Sequence, residues 1–423
     1  MARTKEKAKR PAPAAAVAEA DLVWRDIREF RVEGKGWTDT GRFYDRLPAR
    51  AEGLVTKDVW SLSHHSSGML ARFATDATQI HARWTLRDKD LAMPHMPATG
   101  VSGLDLYVRT GGGWRWVGAG RPSLFPTNSS RLVSGLPPVP WFARRLGKPR
   151  SDADTWVAAA THGTRQYILY LPLYNGVESV EVGVPKGAEI GPGAVPVPWF
   201  ARRLGKPRFG ATATSAWLAA NDASSHGTIA SSHGTITSSH GTKPICFYGT
   251  SITQGGCASR PGMAYIAILG RWLETPTINL GFSGSGKAEP EMADLLAELD
   301  PSVYVIDCLP NVDSAETVRG RVIPMVEKLR AAHRRTPIVL VESVAFQRPP
   351  RLTDFHQSWM KKNAALRAGL RRLRAGGMKG LHHVPSAALL GDDGEATVDG
   401  IHPTDLGFLR IAQALEPVLR KLL

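Results

Sequence analysis

Residues 243–423 alternate short apolar runs with stretches of helical spacing, and few folds accommodate that alternation. The apolar runs are ICFY at 245–248, TINL at 277–280, VYVIDCL at 303–309, IVLV at 338–341 and a shorter one near His383. Between them Ile266, Leu269 and Leu273 recur at helical spacing, then Met292, Leu295, Leu296 and Leu299, then Val318, Val322, Val326 and Leu329. Phe355, Trp359, Leu366, Leu370 and Leu373 mark a long basic helix, and a last helix runs from Asp405. Strands that take turns with helices build a parallel sheet with helices on both faces. Such sheets bind ligands beyond the carboxyl ends of their strands, near the point where strand order reverses.

Chemistry-bearing residues gather at that edge. Gly249-Thr250-Ser251 breaks the first run with small residues, placing Ser251 where an α/β fold carries a nucleophile. The G-x-S-x-G elbow is not matched, because Thr253 stands at its second glycine. Gly284 follows the second strand and Asn311 the third. Near the end of the chain TVDGIHPTDLGF sets Asp399 three residues before His402, ahead of the last helix. A serine hydroxyl is a poor nucleophile until an imidazole takes its proton, and the imidazole needs a carboxylate to fix its tautomer. One turn carrying Asp-x-x-His can present both groups on the same side. An aspartate there also serves as a helix cap, so the pairing with Ser251 carries the reading.

With these motifs in place, 243–423 resembles an SGNH (GDSL-type) hydrolase. GTSIT at 249–253 stands for the nucleophile block, NLGFSGSG at 279–286 for the second, DCLPN at 307–311 for the third and DGIHP at 399–403 for the last. The resemblance implies a flavodoxin-like domain with Ser251, His402 and Asp399 as catalytic triad. It also implies an oxyanion hole from the backbone N–H of Ser251 and Gly284 and the side-chain amide of Asn311. It extends to a branch with an N-terminal β-sandwich whose GxDLY signature is Gly103-Leu104-Asp105-Leu106-Tyr107 here; LPLYNGVESVEVGVP at 171–185 fits the same branch. Two departures stand out. The third block has Leu309 and Val312 around Pro310 and Asn311 instead of Gly-x-Asn-Asp, and Ser285 replaces the Asn common in this branch. Neither removes a triad member. A serine triad needs no metal or cofactor, and none is expected.

Residues 21–184 read as the all-β sandwich, with period-2 stretches such as MLARFAT at 69–75 and DLYVRT at 105–110 separated by turns. Ten of the twelve tryptophans precede residue 243, and most are expected in the core, with sugar stacking as the alternative for a minority. His95 and Met96 sit in a proline-rich loop just before the signature strand, expected to meet the catalytic rim because the family's sandwich packs on its hydrolase domain. The three cysteines, Cys246, Cys257 and Cys308, cannot all pair and read as buried thiols.

Two oddities interrupt this pattern. PVPWFARRLGKPR occurs at 138–150 and again at 196–208, and Ser-Ser-His-Gly-Thr occurs three times between 224 and 242. So few copies cannot build a solenoid; they read as duplications in tolerant loops, with 185–242 a linker. A metal held by His226, His233 and His240 would have to order a Ser/Gly-rich segment, which disfavours it. The net charge of +15 does not indicate nucleic-acid binding. The first ten residues carry +4 and the two copies of the thirteen-residue segment +8, leaving +3 for the rest. Residues 1–20 read as a basic Ala/Pro tail without the apolar stretch of a signal peptide, so a cytoplasmic location is the default, with export open if the start is misassigned. No membrane span is expected and oligomeric state is unreadable.

The expected function is a serine esterase acting on short acyl esters, acetyl above all, with carbohydrates as the carrier the family favours. The alternatives are an acyltransferase using the same triad with an alcohol or sugar acceptor, a carbohydrate-binding protein with an inactive hydrolase half, and an interaction protein built around the repeats.

Overall fold

A computed structural model describes residues 18–137, 163–194, 243–344 and 353–423. Both copies of PVPWFARRLGKPR, the SSHGT copies with their three histidines and most of the basic tail lie outside the described residues.

The first ten strands are β1 (Leu22–Asp26), β2 (Arg31–Glu33), β3 (Leu70–Thr75), β4 (Ile80–Leu86), β5 (Leu104–Thr110), β6 (Gly113–Gly120), β7 (Thr127–Val133), β8 (Arg165–Tyr170), β9 (Val177–Pro185) and β10 (Ile190–Pro192). They form two antiparallel sheets, ordered β1-β9-β4-β7 and β10-β3-β8-β5-β6, with β2 also pairing with β3. Phe73, Ala82, Trp84, Leu106, Leu169 and Val182 come from both sheets into one core, which makes the pair a sandwich. Ile190–Pro192 pairs with β3, so the sheet continues past Val184, where the sequence reading began the linker. A three-residue strand containing Gly and Pro gives no alternation to detect.

Among the six described tryptophans before residue 243, only a minority are core. Trp37 and Trp84 are fully buried, but Trp116 is 49% exposed and Trp24, Trp60 and Trp114 are half-buried. Guanidinium groups cover the rings instead: Arg83 lies 4.6 Å from the Trp24 centroid and Arg260 4.9 Å from that of Trp116.

The second half contains the expected parallel sheet. Its strands are β11 (Ile245–Gly249), β12 (Thr277–Gly281), β13 (Val303–Asp307), β14 (Ile338–Val341) and β15 (Leu381–Val384), ordered β12-β11-β13-β14-β15. This is the flavodoxin-like order, whose reversal of direction falls at β11. The strands read as continuous apolar runs because both faces are covered. Cys246, Tyr248, Leu280, Ile306 and Leu340 face one layer of helices, and Ile245, Phe247, Val305 and Val339 the other.

Pieces of the N-terminal half enter both layers. Trp37, Leu47, Val55 and Val59 join the first, the last from helix α1 (Lys57–Ser63). Met96, Val101, Leu173 and Tyr174 join the second, Val101 closing the short helix α2 (Ala98–Val101). The two halves therefore share apolar cores. Among the described residues no helix is long and apolar enough to cross a membrane.

Candidate active site

Ser251 begins a four-residue helix, α3 (Ser251–Gln254), two residues past the end of β11. Thr250 caps it: its hydroxyl accepts from the Ile252 N–H at 3.2 Å, while the Thr253 hydroxyl accepts from the Thr250 N–H at 3.3 Å. Thr253, the residue that breaks the G-x-S-x-G pattern, thus closes a capping box.

At the other end of the chain a turn precedes helix α4 (Asp405–Leu422). The Asp399 Oδ1 accepts from the Ile401 and His402 N–H groups at 2.9 and 2.8 Å. Its Oδ2 lies 2.7 Å from His402 Nδ1, and His402 Nε2 lies 2.9 Å from Ser251 Oγ. A continuous carboxylate–imidazole–hydroxyl chain results. Partial burial works against the charge on Asp399, but the His402 ring and the two backbone donors outweigh it and hold the carboxyl at about 2.

Asn311 reaches the turn that carries Gly284. The Phe282 C=O accepts from Ser285 N–H (3.0 Å), Gly286 N–H (2.9 Å) and Asn311 Nδ2 (3.3 Å). This turn forms with Ser285 at the position where Asn was expected. Gly284 sits in it at φ +70°, a conformation that favours glycine. Its N–H and that of Ser251 donate to no group among the described residues.

The sandwich braces this rim through residues that the sequence did not single out. Gln254 Nε2 approaches His65 Nδ1 (3.0 Å) and donates to the Leu173 carbonyl (3.1 Å), and its Oε1 accepts from the Ser283 N–H (3.0 Å). Burial, with Arg46 second, pushes the His65 imidazole down to about 3, so it is neutral. Arg46 is buried and donates to the carbonyls of Asn279 (3.2 Å), Gly281 (2.7 Å) and Leu62 (2.7 Å), with its guanidinium 4.8 Å from the Phe282 centroid. Beneath the nucleophile turn the Asp307 carboxyl accepts from the Tyr265 hydroxyl (3.0 Å) and the Thr253 hydroxyl (3.3 Å). Burial pushes it up to about 7.

The His95 loop reaches the rim as expected: its ring centroid lies 5.6 Å from that of His402. Arg260 ties the two halves together. It donates to Asp105 Oδ2 (2.7 Å) and the Tyr107 hydroxyl (2.6 Å), the Asp and Tyr of the GxDLY signature. All three cysteines are buried and unpaired.

Comparison with known proteins follows the same division. Residues 242–420 match the GDSL-like lipase/acylhydrolase family, and residues 22–190 match the GxDLY N-terminus of SGNH hydrolase-type esterases. A protein of Bacteroides ovatus described as a GDSL-like lipase shares 28% identity over 95% of this chain and 98% of its own, with a TM-score of 0.74. A salicylyl-acyltransferase from a tetracycline biosynthetic pathway shares the fold at 16% identity, over 96% of this chain and 98% of its own, with a TM-score of 0.63. No curated protein resembles the chain closely enough in sequence to count as a match.

Proposed function

The chain is an esterase of the GDSL-like lipase/acylhydrolase family with a GxDLY N-terminal domain, and from that premise we propose that it hydrolyses short acyl esters, acetyl above all, through an acyl-enzyme on Ser251. The observation that carries the reading is the unbroken chain from Asp399 through His402 to Ser251 Oγ, with links of 2.7 and 2.9 Å. His402 takes the hydroxyl proton as Ser251 Oγ attacks the ester carbonyl, and Asp399 holds the imidazole in the tautomer whose Nε2 is free to accept. The oxyanion that forms is received by the N–H groups of Ser251 and Gly284 and by Asn311. The collapsing intermediate expels the alcohol, which takes the proton from His402. Water then attacks the acyl group with the same imidazole as base and releases the acid.

Carbohydrate acetates are the proposed carriers of the acyl group. A serine-reactive fluorophosphonate tests the nucleophile: it should add one adduct to the protein, on the peptide containing Ser251. A chain-length series from p-nitrophenyl acetate to octanoate tests the acyl preference, and acetate should turn over fastest. The same triad serves an acyltransferase if an alcohol replaces water, and the salicylyl-acyltransferase shares this fold. Adding sugars or alcohols to the assay and measuring acyl transfer separates the two.

A further inference from the structure

We propose that His95, Cys257 and His402 form a binding site for a thiophilic divalent cation such as Zn²⁺, and that occupying it shuts off the serine centre. One ligand atom from each residue lies within 4.8 Å of the other two. Bonds of about 2.0–2.1 Å to nitrogen and 2.3 Å to sulfur around a tetrahedral ion place ligand atoms about 3.5 Å apart. Closing that difference of up to about 1.3 Å takes rotations of the three side chains. Two imidazoles and one thiolate suit zinc or copper over magnesium or calcium, and a fourth position stays open to water.

The site is held by structure that the triad does not require. His95 sits in a turn closed by Met93 N–H to Met96 C=O (2.9 Å) and Met96 N–H to Met93 C=O (3.1 Å), anchored by the buried Met96 side chain. Cys257 is tied to the His402 turn through its N–H to the Pro403 carbonyl (3.4 Å). Gly100, whose Cβ would stand 2.2 Å from the Ala258 carbonyl, lets the His95 segment close on the Cys257 loop. The Thr99 hydroxyl adds a hydrogen bond to the Ser259 carbonyl at 2.6 Å.

His402 brings its own outer shell. With Nδ1–H given to Asp399, Nε2 is the ring nitrogen that keeps a lone pair for a cation, the carboxylate–histidine–metal arrangement common in metal sites. That lone pair is the one Ser251 Oγ–H now uses, so the cation and the nucleophile compete for it. Binding forms the sulfur–metal bond and releases the thiol proton to solvent. The existence of the site is independent of the esterase reading; only its inhibitory consequence rests on that reading.

Cobalt(II) added to the full-length protein tests the site directly. Wild type and Ser251→Ala should both give tetrahedral cobalt spectra with a sulfur-to-cobalt charge-transfer band. Cys257→Ser should lose that band, and His95→Ala, a change on an exposed loop, should weaken binding at least about tenfold. Histidines of the SSHGT copies cannot produce a thiolate band. In parallel, Zn²⁺ should inhibit p-nitrophenyl acetate hydrolysis and EDTA should restore it. His95→Ala and Cys257→Ser should keep the metal-free rate and need at least about tenfold more Zn²⁺. A wild type without the thiolate band, a band that survives Cys257→Ser, or an unchanged Zn²⁺ dose in both variants overturns the proposal. A band without any ester turnover sustains the site and sinks the esterase reading instead.

Discussion

The phenol of Tyr174, carried by the sandwich half, donates to the backbone carbonyl of Ser251 at 3.2 Å. That carbonyl also accepts from the Gly255 and Gly256 N–H groups, each at 2.9 Å. The turn behind the nucleophile is therefore fixed partly by the other half of the chain. Because the acceptor keeps two partners, Tyr174→Phe should cost only about 1 kcal/mol of stability. Its urea midpoint should fall slightly while ester hydrolysis drops less than about fivefold. An unchanged midpoint would remove the phenol from the brace.

Arg46 should matter more to folding. Its charge is buried against three carbonyls, and one of them, Gly281, ends the strand that leads to Gly284. Arg46→Ala strands those acceptors in a dry interior and should cost about 3 kcal/mol. Arg46→Lys cannot span all three and should recover only part. Urea titrations of both variants check this, and wild-type stability in the alanine variant would contradict it.

Asp307 gives a pH dependence with a definite sign. Its folded carboxyl is raised to about 7 by burial, whereas in the unfolded chain it ionises near the ordinary value of 3.8. Below that value both states are protonated and the group has no effect. As pH rises from about 4 to about 7 the unfolded state gains charge freely while the folded state resists. Stability therefore falls through this window and levels off above it, by a few kcal/mol in order of magnitude. Asp307→Asn should flatten this slope in denaturation curves taken at pH 4, 6 and 8. An equal slope in both proteins would contradict the assignment.

Asn311→Ala tests the proposed oxyanion contact. Removing one such donor costs about 3 kcal/mol of transition-state stabilisation, so kcat/KM on p-nitrophenyl acetate should fall about a hundredfold. An unchanged rate would take Asn311 out of the oxyanion hole and leave it as the brace on Phe282.

The parallel sheet was legible because strands covered on both faces must be largely apolar, and 245–248, 303–306 and 338–341 say so in their letters. Ser251, Asp399 and His402 were legible because each follows or precedes a regular element at a fixed offset. The supports of the site were not. A single Arg46 in a loop looks solvated until the carbonyls of Leu62, Asn279 and Gly281 close on it from distant parts of the chain. Gln254 stood beside the nucleophile motif, yet its partners His65, Leu173 and Ser283 come from three other segments. His95, Cys257 and His402 have no metal-ligand spacing at all, since the fold alone brings them together. The sandwich edge at Ile190–Pro192 was missed because strand periodicity needs more than three residues to show.

The most direct measurement compares wild type with Ser251→Ala on p-nitrophenyl acetate, with far-ultraviolet circular dichroism confirming that both are folded. The account predicts steady turnover by wild type and none above background by the alanine variant, with acetate preferred over octanoate. Comparable turnover by the folded Ser251→Ala protein would contradict a serine acyl-enzyme, however well the distances fit.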